Sequence, residues 1–336
     1  CRVINGGQVS DHKGINVPGV MVHVPIMAQQ DIEDIQFAVE NDFDYIAISF
    51  VRDTEDINRV RELLREKGGE DIRLIAKIET AQGVENIDSI IESADGIMVA
   101  RGDLGVELSI EQVPVVQKNL IQKCYESGKP VITATQMLDS MIRNPRPTRA
   151  EVNDVANAIF EGTSAIMLSG ETAAGKYPIE SLAMMVKITE AAENSIDYKS
   201  LFKGRGPSDF TDITDAISHA TVTTAINLNA KAIVTVTKKG TTAQKISRFR
   251  PPCPIIAATT SPKVVRQLNL NWGISPCLSQ EASSAENLLE IGVESALHAH
   301  LINKGDLVVI TAGVPVGKSG TTNMLKVHIA GNPLLK

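Results

Sequence analysis

The sequence predicts an α/β chain in two parts, and three observations carry that prediction. Short β-branched apolar runs alternate with stretches of helical length and pattern from residue 31 onward. Five of those runs in succession end in polar, chemistry-bearing residues. A stretch without periodicity, Ser195–Thr211, holds Gly204, Gly206 and Pro207 and precedes a second strand–helix alternation. Continuous apolar strands interleaved with helices mean a parallel sheet covered on both faces.

In order, Tyr45–Phe50, Ile72–Ile78, Gly96–Ala100, Pro130–Ala134 and Ser164–Leu168 read as strands. Thr54–Lys67, Gly83–Glu92, Val113–Ser127 and Arg149–Glu161 read as the helices between them. The polar strand ends are Ser49-Phe50, Lys77-Ile-Glu79, Arg101-Gly-Asp103, Thr133-Ala-Thr135 and Ser169-Gly-Glu171. A doubly wound sheet gathers ligands at one crevice, whereas a β/α barrel builds its site from the carboxyl ends of all its strands. Five polar ends in a row therefore favour an incomplete (β/α)8 TIM barrel, about five of its eight strands being present. The missing three are expected before residue 1. Val3–Val24, with Asn-Gly-Gly and Val-Pro-Gly turns, is β-like.

These patterns divide the chain into the tail of an inserted β domain (1–24), a partial TIM-barrel catalytic domain (25–196) and a C-terminal α/β domain (211–336). In the last, Asp212–Leu228, Thr242–Phe249 and Ala282–Lys304 read as helices. Ala232–Val236, Ile255–Ala258, Leu307–Thr311 and Leu325–Ile329 read as strands. The order suits a compact doubly wound domain.

Composition narrows the function classes. A formal charge of −7 gives no basic surface for nucleic acid. No apolar run approaches the ~18 residues of a membrane span. The four cysteines, Cys1, Cys124, Cys253 and Cys277, form no C-x-x-C pair, which supports neither a zinc site nor a disulfide framework and suits a reducing cytoplasm. Aromatics make up only 4% of the chain, so the core must be aliphatic.

The strand ends carry the chemistry. Glu79 and Asp103 close consecutive strands, and neighbouring strands lie about 4.8 Å apart, so both carboxylates can converge on one cation. Two carboxylates with room for water and phosphate oxygens suit Mg²⁺. Lys77 shares a strand face with Glu79 and can balance a phosphoryl group in transfer. Gly102 and Gly105 flank Asp103, and their backbone N–H groups at a helix start can hold a carboxylate. Thr135 stands on the same rim. Two phosphate-loop lookalikes fail. Gly170-Glu-Thr-Ala-Ala-Gly-Lys176 has Tyr177 where a hydroxyl must bind the metal, and Gly313-Val-Pro-Val-Gly-Lys-Ser319 is one residue short. Thr148-Arg-Ala-Glu151 is a capping box, and the six histidines show no metal spacing.

Ile72–Val84, with its Lys-Ile-Glu-Thr core, resembles the active-site signature of the pyruvate kinases. Ile97–Val106, Ala134–Leu138 and the run from Asn144-Pro-Arg-Pro-Thr-Arg-Ala-Glu151 to Met167-Leu-Ser-Gly-Glu-Thr172 are similar to the same family, in the same order. The resemblance covers nearly the whole chain. It implies phosphoryl transfer from phosphoenolpyruvate to ADP in glycolysis, giving pyruvate and ATP. Lys77 would stabilise the moving phosphoryl group, and Glu79 and Asp103 would hold Mg²⁺. The N–H groups of Gly102 and Asp103, with the Thr135 hydroxyl, would bind the substrate carboxylate near the point of enolate protonation. Ser49 and Phe50 would line the phosphate side. K⁺ is implied by the family alone, its ligands falling on strands that this sequence does not contain.

The loop Thr237-Lys238-Lys239-Gly240-Thr241-Thr242 resembles the family's allosteric effector loop. It would take a phosphorylated effector, with Gly313–Thr321 as the opposite wall. A cytoplasmic homotetramer is implied for the full-length protein. The alternatives are a Mg²⁺-dependent aldolase or lyase on a barrel, and an inactive fragment acting as an effector-binding or oligomerisation module. This chain alone is expected to be inactive, because five barrel strands leave open sheet edges.

Overall fold

The computed structural model describes residues 2–7, 11, 27–204, 212–315 and 322–333. Most of the expected β-domain tail (1–24), residues 205–211 of the expected linker and residues 316–321 of the expected effector wall fall outside those residues.

The first region runs α1 (Gln29–Glu40), β1 (Tyr45–Ile48), α2 (Thr54–Lys67), β2 (Arg73–Ile78), α3 (Ala81–Glu85), α4 (Ile87–Ser93), β3 (Gly96–Ala100), α5 (Arg101–Glu107), α6 (Val113–Ser127), β4 (Val131–Ala134), α7 (Arg149–Glu161), β5 (Ala165–Ile166), α8 (Gly170–Ala173) and α9 (Pro178–Ser195). Its five strands form one sheet in chain order, every neighbouring pair parallel. This is the arrangement expected of successive β/α units in a barrel.

Alternation along β2 sorts its side chains. Leu74, Ala76 and Ile78 pack under the helices with Ile57, Leu64, Ile90, Ile97 and Leu120. Ile75 points the other way and joins Met98 and Ile132 in a separate inner cluster. By the same period of two, Lys77 and Glu79 belong to that inner face.

Helix boundaries follow from caps. Asp53 accepts hydrogen bonds from Glu55 N and Asp56 N to open α2, and Gly68 closes it in the left-handed region. Thr148 and Glu151 form the expected capping box at α7. Glu151 also accepts from Ser140 N (2.7 Å) and Ser140 Oγ (2.6 Å), tying the turn after β4 to that helix. The helix expected over Gly83–Glu92 is two helices, broken at Asn86, whose amide donates to the Arg52 carbonyl (2.9 Å). At Gly83, an added Cβ would lie 2.6 Å from the Val51 carbonyl, so α3 presses directly on the backbone that follows β1.

The second region runs α10 (Tyr198–Gly204), α11 (Ile213–Leu228), β6 (Ala232–Val236), α12 (Thr241–Arg248), β7 (Ile255–Thr259), α13 (Pro262–Leu268), β8 (Ile274–Leu278), α14 (Ala285–His298), β9 (Leu307–Gly313) and β10 (Thr322–Ile329). The sheet order is β10-β9-β6-β7-β8, and β10 alone is antiparallel. Side chains of α11, α12 and α13 pack on one face of the sheet, and α14 covers the other. The expected linker is partly helical: Phe202 of α10 stacks on His219 and meets Phe249 edge-on, which gives that segment an apolar anchor. Strand β8 escapes the sequence pattern because Pro276 interrupts it; the proline is tolerated there because β8 lies at the sheet edge.

Helix α13 docks the second region onto the amino ends of β1 and β2. Arg266 pairs with Asp42 (2.6 Å) and Asp44 (2.9 Å), and Lys263 with Asp71 (2.9 Å) and Asp42 (3.1 Å). The Tyr45 hydroxyl donates to the Gln267 carbonyl (2.6 Å). Hydrogen bonding from Lys263 and then Arg266 holds the Asp42 carboxyl below its usual range. These contacts lie on the rim opposite the polar strand ends.

Candidate active site

Lys77 and Glu79 meet at the carboxyl end of β2. The Lys77 ammonium lies 2.7 Å from Glu79 Oε1 and donates to Ser49 Oγ at 2.9 Å. The other carboxylate oxygen, Glu79 Oε2, accepts from Phe50 N at 2.6 Å. Glu79 is 1% exposed, so its charge is shielded from water and answered by a cation and an amide. Lys77 keeps a quarter of its side chain exposed and can reach outward. Phe50 adopts a left-handed backbone (φ 54°), which turns its N–H onto Glu79 while leaving its ring exposed.

The ends of β3 and β4 meet in a second constellation. Gly102 N donates to Thr135 Oγ1 at 2.8 Å, and the Thr135 hydroxyl donates to the Ala134 carbonyl at 2.6 Å. Thr135 and Gln136 both sit in the left-handed region, at φ 69° and 53°. Ile78 is in register with Val99, which sets Glu79 one residue and Asp103 four residues beyond a paired position on adjacent strands. Asp103 lies in the first turn of α5, where the helix dipole favours a negative charge.

The structure thus links Ser49, Phe50, Lys77 and Glu79 by direct contact and joins Gly102 to Thr135, with Asp103 following on α5. The donor set offers two carboxylates, one just past the end of β2 and one on α5, which follows the neighbouring strand β3. No cluster of three or more His, Cys, Asp or Glu side chains that could hold a metal occurs among the described residues. Such a set fits a hard cation that completes its shell with water and substrate oxygens, rather than a closed protein cage.

Two supporting residues were visible in the sequence only as polar strand ends. Arg101 reaches the carbonyls of Ala134 (3.0 Å) and Thr135 (2.5 Å) and pairs with Asp154 (2.6 Å). Glu171, 2% exposed, accepts from Leu138 N (3.0 Å) and Ser169 N (2.8 Å) and fixes the turn after β4. Their partners lie 33 or more residues away or in turns, where spacing carries no signal.

The segment Thr237–Thr242 stands apart, between β6 and α12. Thr237 Oγ1 accepts from Gly240 N (3.0 Å), Gly240 takes a left-handed turn (φ 83°), and the Thr242 and Thr322 hydroxyls share a hydrogen bond (2.6 Å). Lys238 and Lys239 are exposed, and the Lys239 carbonyl accepts from Arg73 of β2 (3.1 Å).

A five-stranded parallel β/α sheet in chain order, with polar residues gathered past the carboxyl ends of its strands, defines the first region as a stretch of β/α barrel. A family model described as "Pyruvate kinase, barrel domain" matches residues 1–182, and one described as "Pyruvate kinase, alpha/beta domain" matches residues 215–328. The pyruvate kinase of Sporosarcina psychrophila is 52% identical over 99% of this chain, which covers 57% of that protein. That of Clostridium acetobutylicum is 52% identical over 98% of the chain, covering 70% of it. For the Geobacillus stearothermophilus protein the figures are 51%, 99% and 57%. This chain belongs to the pyruvate kinase family, and it spans between about half and about two thirds of the length of these relatives. Matches along almost the whole chain give no support to the expectation that it is inactive by itself.

Proposed function

We propose that the protein carrying this chain transfers a phosphoryl group from phosphoenolpyruvate to ADP, and that the residues at the ends of β1 to β4 form one half of the site. The observation that supports this most is the Lys77–Glu79 pair: a buried carboxylate and a partly exposed ammonium 2.7 Å apart, on the inner face, at a strand's carboxyl end. Lys77 stabilises charge on the transferring group, and Ser49 orients its ammonium. Glu79 and Asp103 hold Mg²⁺, which when bound supplies charge neutralisation at the phosphoryl oxygens. The Phe50 amide keeps the Glu79 carboxylate aimed.

Gly102 N–H, Asp103 N–H and the Thr135 hydroxyl receive the substrate carboxylate. Gly102 N–H now donates to Thr135 Oγ1 and the Thr135 hydroxyl to the Ala134 carbonyl, and an entering carboxylate would accept from both donors in place of those two bonds. Phosphoryl transfer asks mainly for positioning and charge stabilisation, which this set provides.

The same function takes residues 25–196 as the catalytic barrel region and 211–336 as an effector-binding domain. A phosphorylated effector would bind at Thr237, Lys238, Lys239, Gly240, Thr241 and Thr242, where two exposed lysines precede a helix start. K⁺ as second cation and a homotetrameric assembly rest on likeness to the family. A cytoplasmic setting is supported by the unpaired thiols of Cys124, Cys253 and Cys277. No described helix is long and apolar enough to cross a membrane.

The test is phosphoenolpyruvate-dependent ATP formation by the natural protein, wild type against Lys77→Met. Turnover is expected to fall by ~10²–10³-fold, the usual loss for one preorganised charge contact. Retained transfer in the variant would remove Lys77 from its role. An absence of transfer in the wild type, with cleavage or condensation at pyruvate instead, would turn the assignment toward a lyase or aldolase.

A further inference from the structure

We propose that Arg101 is a positioning residue that holds the Thr135–Gln136 turn in its left-handed conformation and so places the Thr135 hydroxyl beside Gly102; this rests on the function proposed above. Two consecutive non-glycine residues with positive φ, one of them β-branched, form a backbone that does not persist unaided. The turn needs an outside clamp, and the Arg101 guanidinium supplies one. Its Nε donates to the Ala134 carbonyl at 3.0 Å, and one terminal nitrogen donates to the Thr135 carbonyl at 2.5 Å. These are the last carbonyl of β4 and the first of the turn.

The clamp is itself held. The other terminal nitrogen pairs with Asp154 of α7 at 2.6 Å and lies 3.4 Å from the Gln117 side-chain oxygen on α6. Gln117 in turn donates to Glu161 of α7 at 2.7 Å. The Arg101 side chain is only 12% exposed, so its bonds are little weakened by water. Two helices thus fix one planar group, and that group fixes the end of a third element.

Position along the chain makes the arrangement specific. Arg101 opens α5, immediately before Gly102 and Asp103. Its side chain grips the end of β4 while the amide of its next residue donates to Thr135 Oγ1. The two halves of the carboxylate cradle are therefore stapled together by one residue that does not itself face the cradle. Lysine cannot replace it, because a point ammonium cannot reach two carbonyls and a carboxylate in one plane.

The experiment is a double-mutant cycle in the natural protein, using Arg101→Lys, Thr135→Ala and the combination. It is followed by phosphoenolpyruvate-dependent ATP formation and by exchange of pyruvate methyl protons into deuterated water. Thr135→Ala is expected to slow both reactions. Arg101→Lys is expected to slow both by about tenfold or more, and the double variant is expected to be no slower than Thr135→Ala alone, since both changes remove one placed hydroxyl. Multiplying losses would show that Arg101 acts through the fold at large and would overturn the proposal, as would an unimpaired Arg101→Lys.

Should Arg101→Lys fail to fold, Asp154→Asn loosens the same guanidinium while leaving it in place. Its loss, too, is expected to vanish in the Thr135→Ala background, and a loss that persists there overturns the proposal. Full activity of Thr135→Ala itself would instead strike at the assigned substrate cradle, which separates failure of that assignment from failure of this one.

Discussion

In the barrel region, Phe50, Thr135 and Gln136 adopt left-handed backbones, and all three lie just past the carboxyl end of a strand. In the second region Asn229, Arg250 and His300 do the same, and all three follow helices. A left-handed residue after a helix is an ordinary way to stop it and satisfy its last carbonyls. The same geometry after a strand has no such routine purpose. There it aims the Phe50 amide at Glu79 and exposes the Thr135 hydroxyl to Gly102. Asp42, which follows α1, shows that the barrel region also uses the helix-ending form. Strain thus marks the candidate site only where it falls at strand ends.

The largest test of that contrast is Glu79→Gln in the natural protein. It removes the buried negative charge to which Lys77 and the Phe50 amide are matched. ATP formation is expected to fall by ~10²–10³-fold. A loss below about tenfold would mean that the β2 end is a structural ion pair, and the contrast would fail at its centre.

A smaller effect separates the two kinds of left-handed residue directly. His300→Gly relieves backbone strain at an exposed helix end and is expected to raise stability by about 0.5–1 kcal/mol with turnover unchanged. Thr135→Gly relieves similar strain but deletes the hydroxyl, so stability should move by less than about 1 kcal/mol while turnover drops at least about tenfold. Thermal unfolding and initial rates on both variants decide it. Equal behaviour of the two would break the distinction.

The smallest expected effect is in pH. Burial against Phe202 and Phe249 holds His219 below the usual histidine range, and burial together with the nearby Lys326 charge does the same for His328. Below pH 6.5 the unfolded chain binds protons that the folded second region refuses, so its stability falls as pH drops through and below that value. Glu151 adds a loss of the same sign, but at lower pH. Burial pushes its carboxyl up, but bonds from Ser140 and Thr148 outweigh this and hold it below 4.5. Its contribution is complete above 4.5 and is lost only at lower pH. Denaturant unfolding of the chain followed by Trp272, which lies under the Arg250 guanidinium in the second region, should therefore show lower stability at about pH 5.5 than at about pH 7.5. His219→Phe should reduce that difference, and an unchanged difference would clear His219 of the effect.

Much of the architecture was legible because it rests on local signals. Gly68, Gly128 and Gly162 end helices in the left-handed region, and Asp53 and Thr148 start them, so the bounds of α2, α6 and α7 match those expected from the sequence. Where a signal was overridden, a tertiary contact explains it. Asn86 breaks a helix to reach Arg52, the expected linker is partly helical because Phe202 finds His219, and β8 carries a proline because one of its edges is unpaired. Lys77, Glu79, Asp103, Gly102 and Thr135 could be singled out because their types recur at strand ends. The clamp by Arg101 could not, since Asp154 and Thr135 are distant in sequence and neither spacing marks a pair.

The sequence by itself determined the five successive strands of the first region with α2, α6 and α7 between them, the face of β2 on which Lys77 and Glu79 stand, and the loop at Thr237–Thr242. Each follows from periodicity or from a residue's own backbone preference, which act over a few positions. Only the tertiary structure decided that Lys77 reaches Ser49, that Phe50 aims its amide at Glu79, and that Arg101 binds the turn bearing Thr135. Those contacts join separate β/α units. They exist only once parallel strands bring their carboxyl ends to one rim, because hydrogen bonds reach about 3 Å and carry no trace of the sequence distance they close.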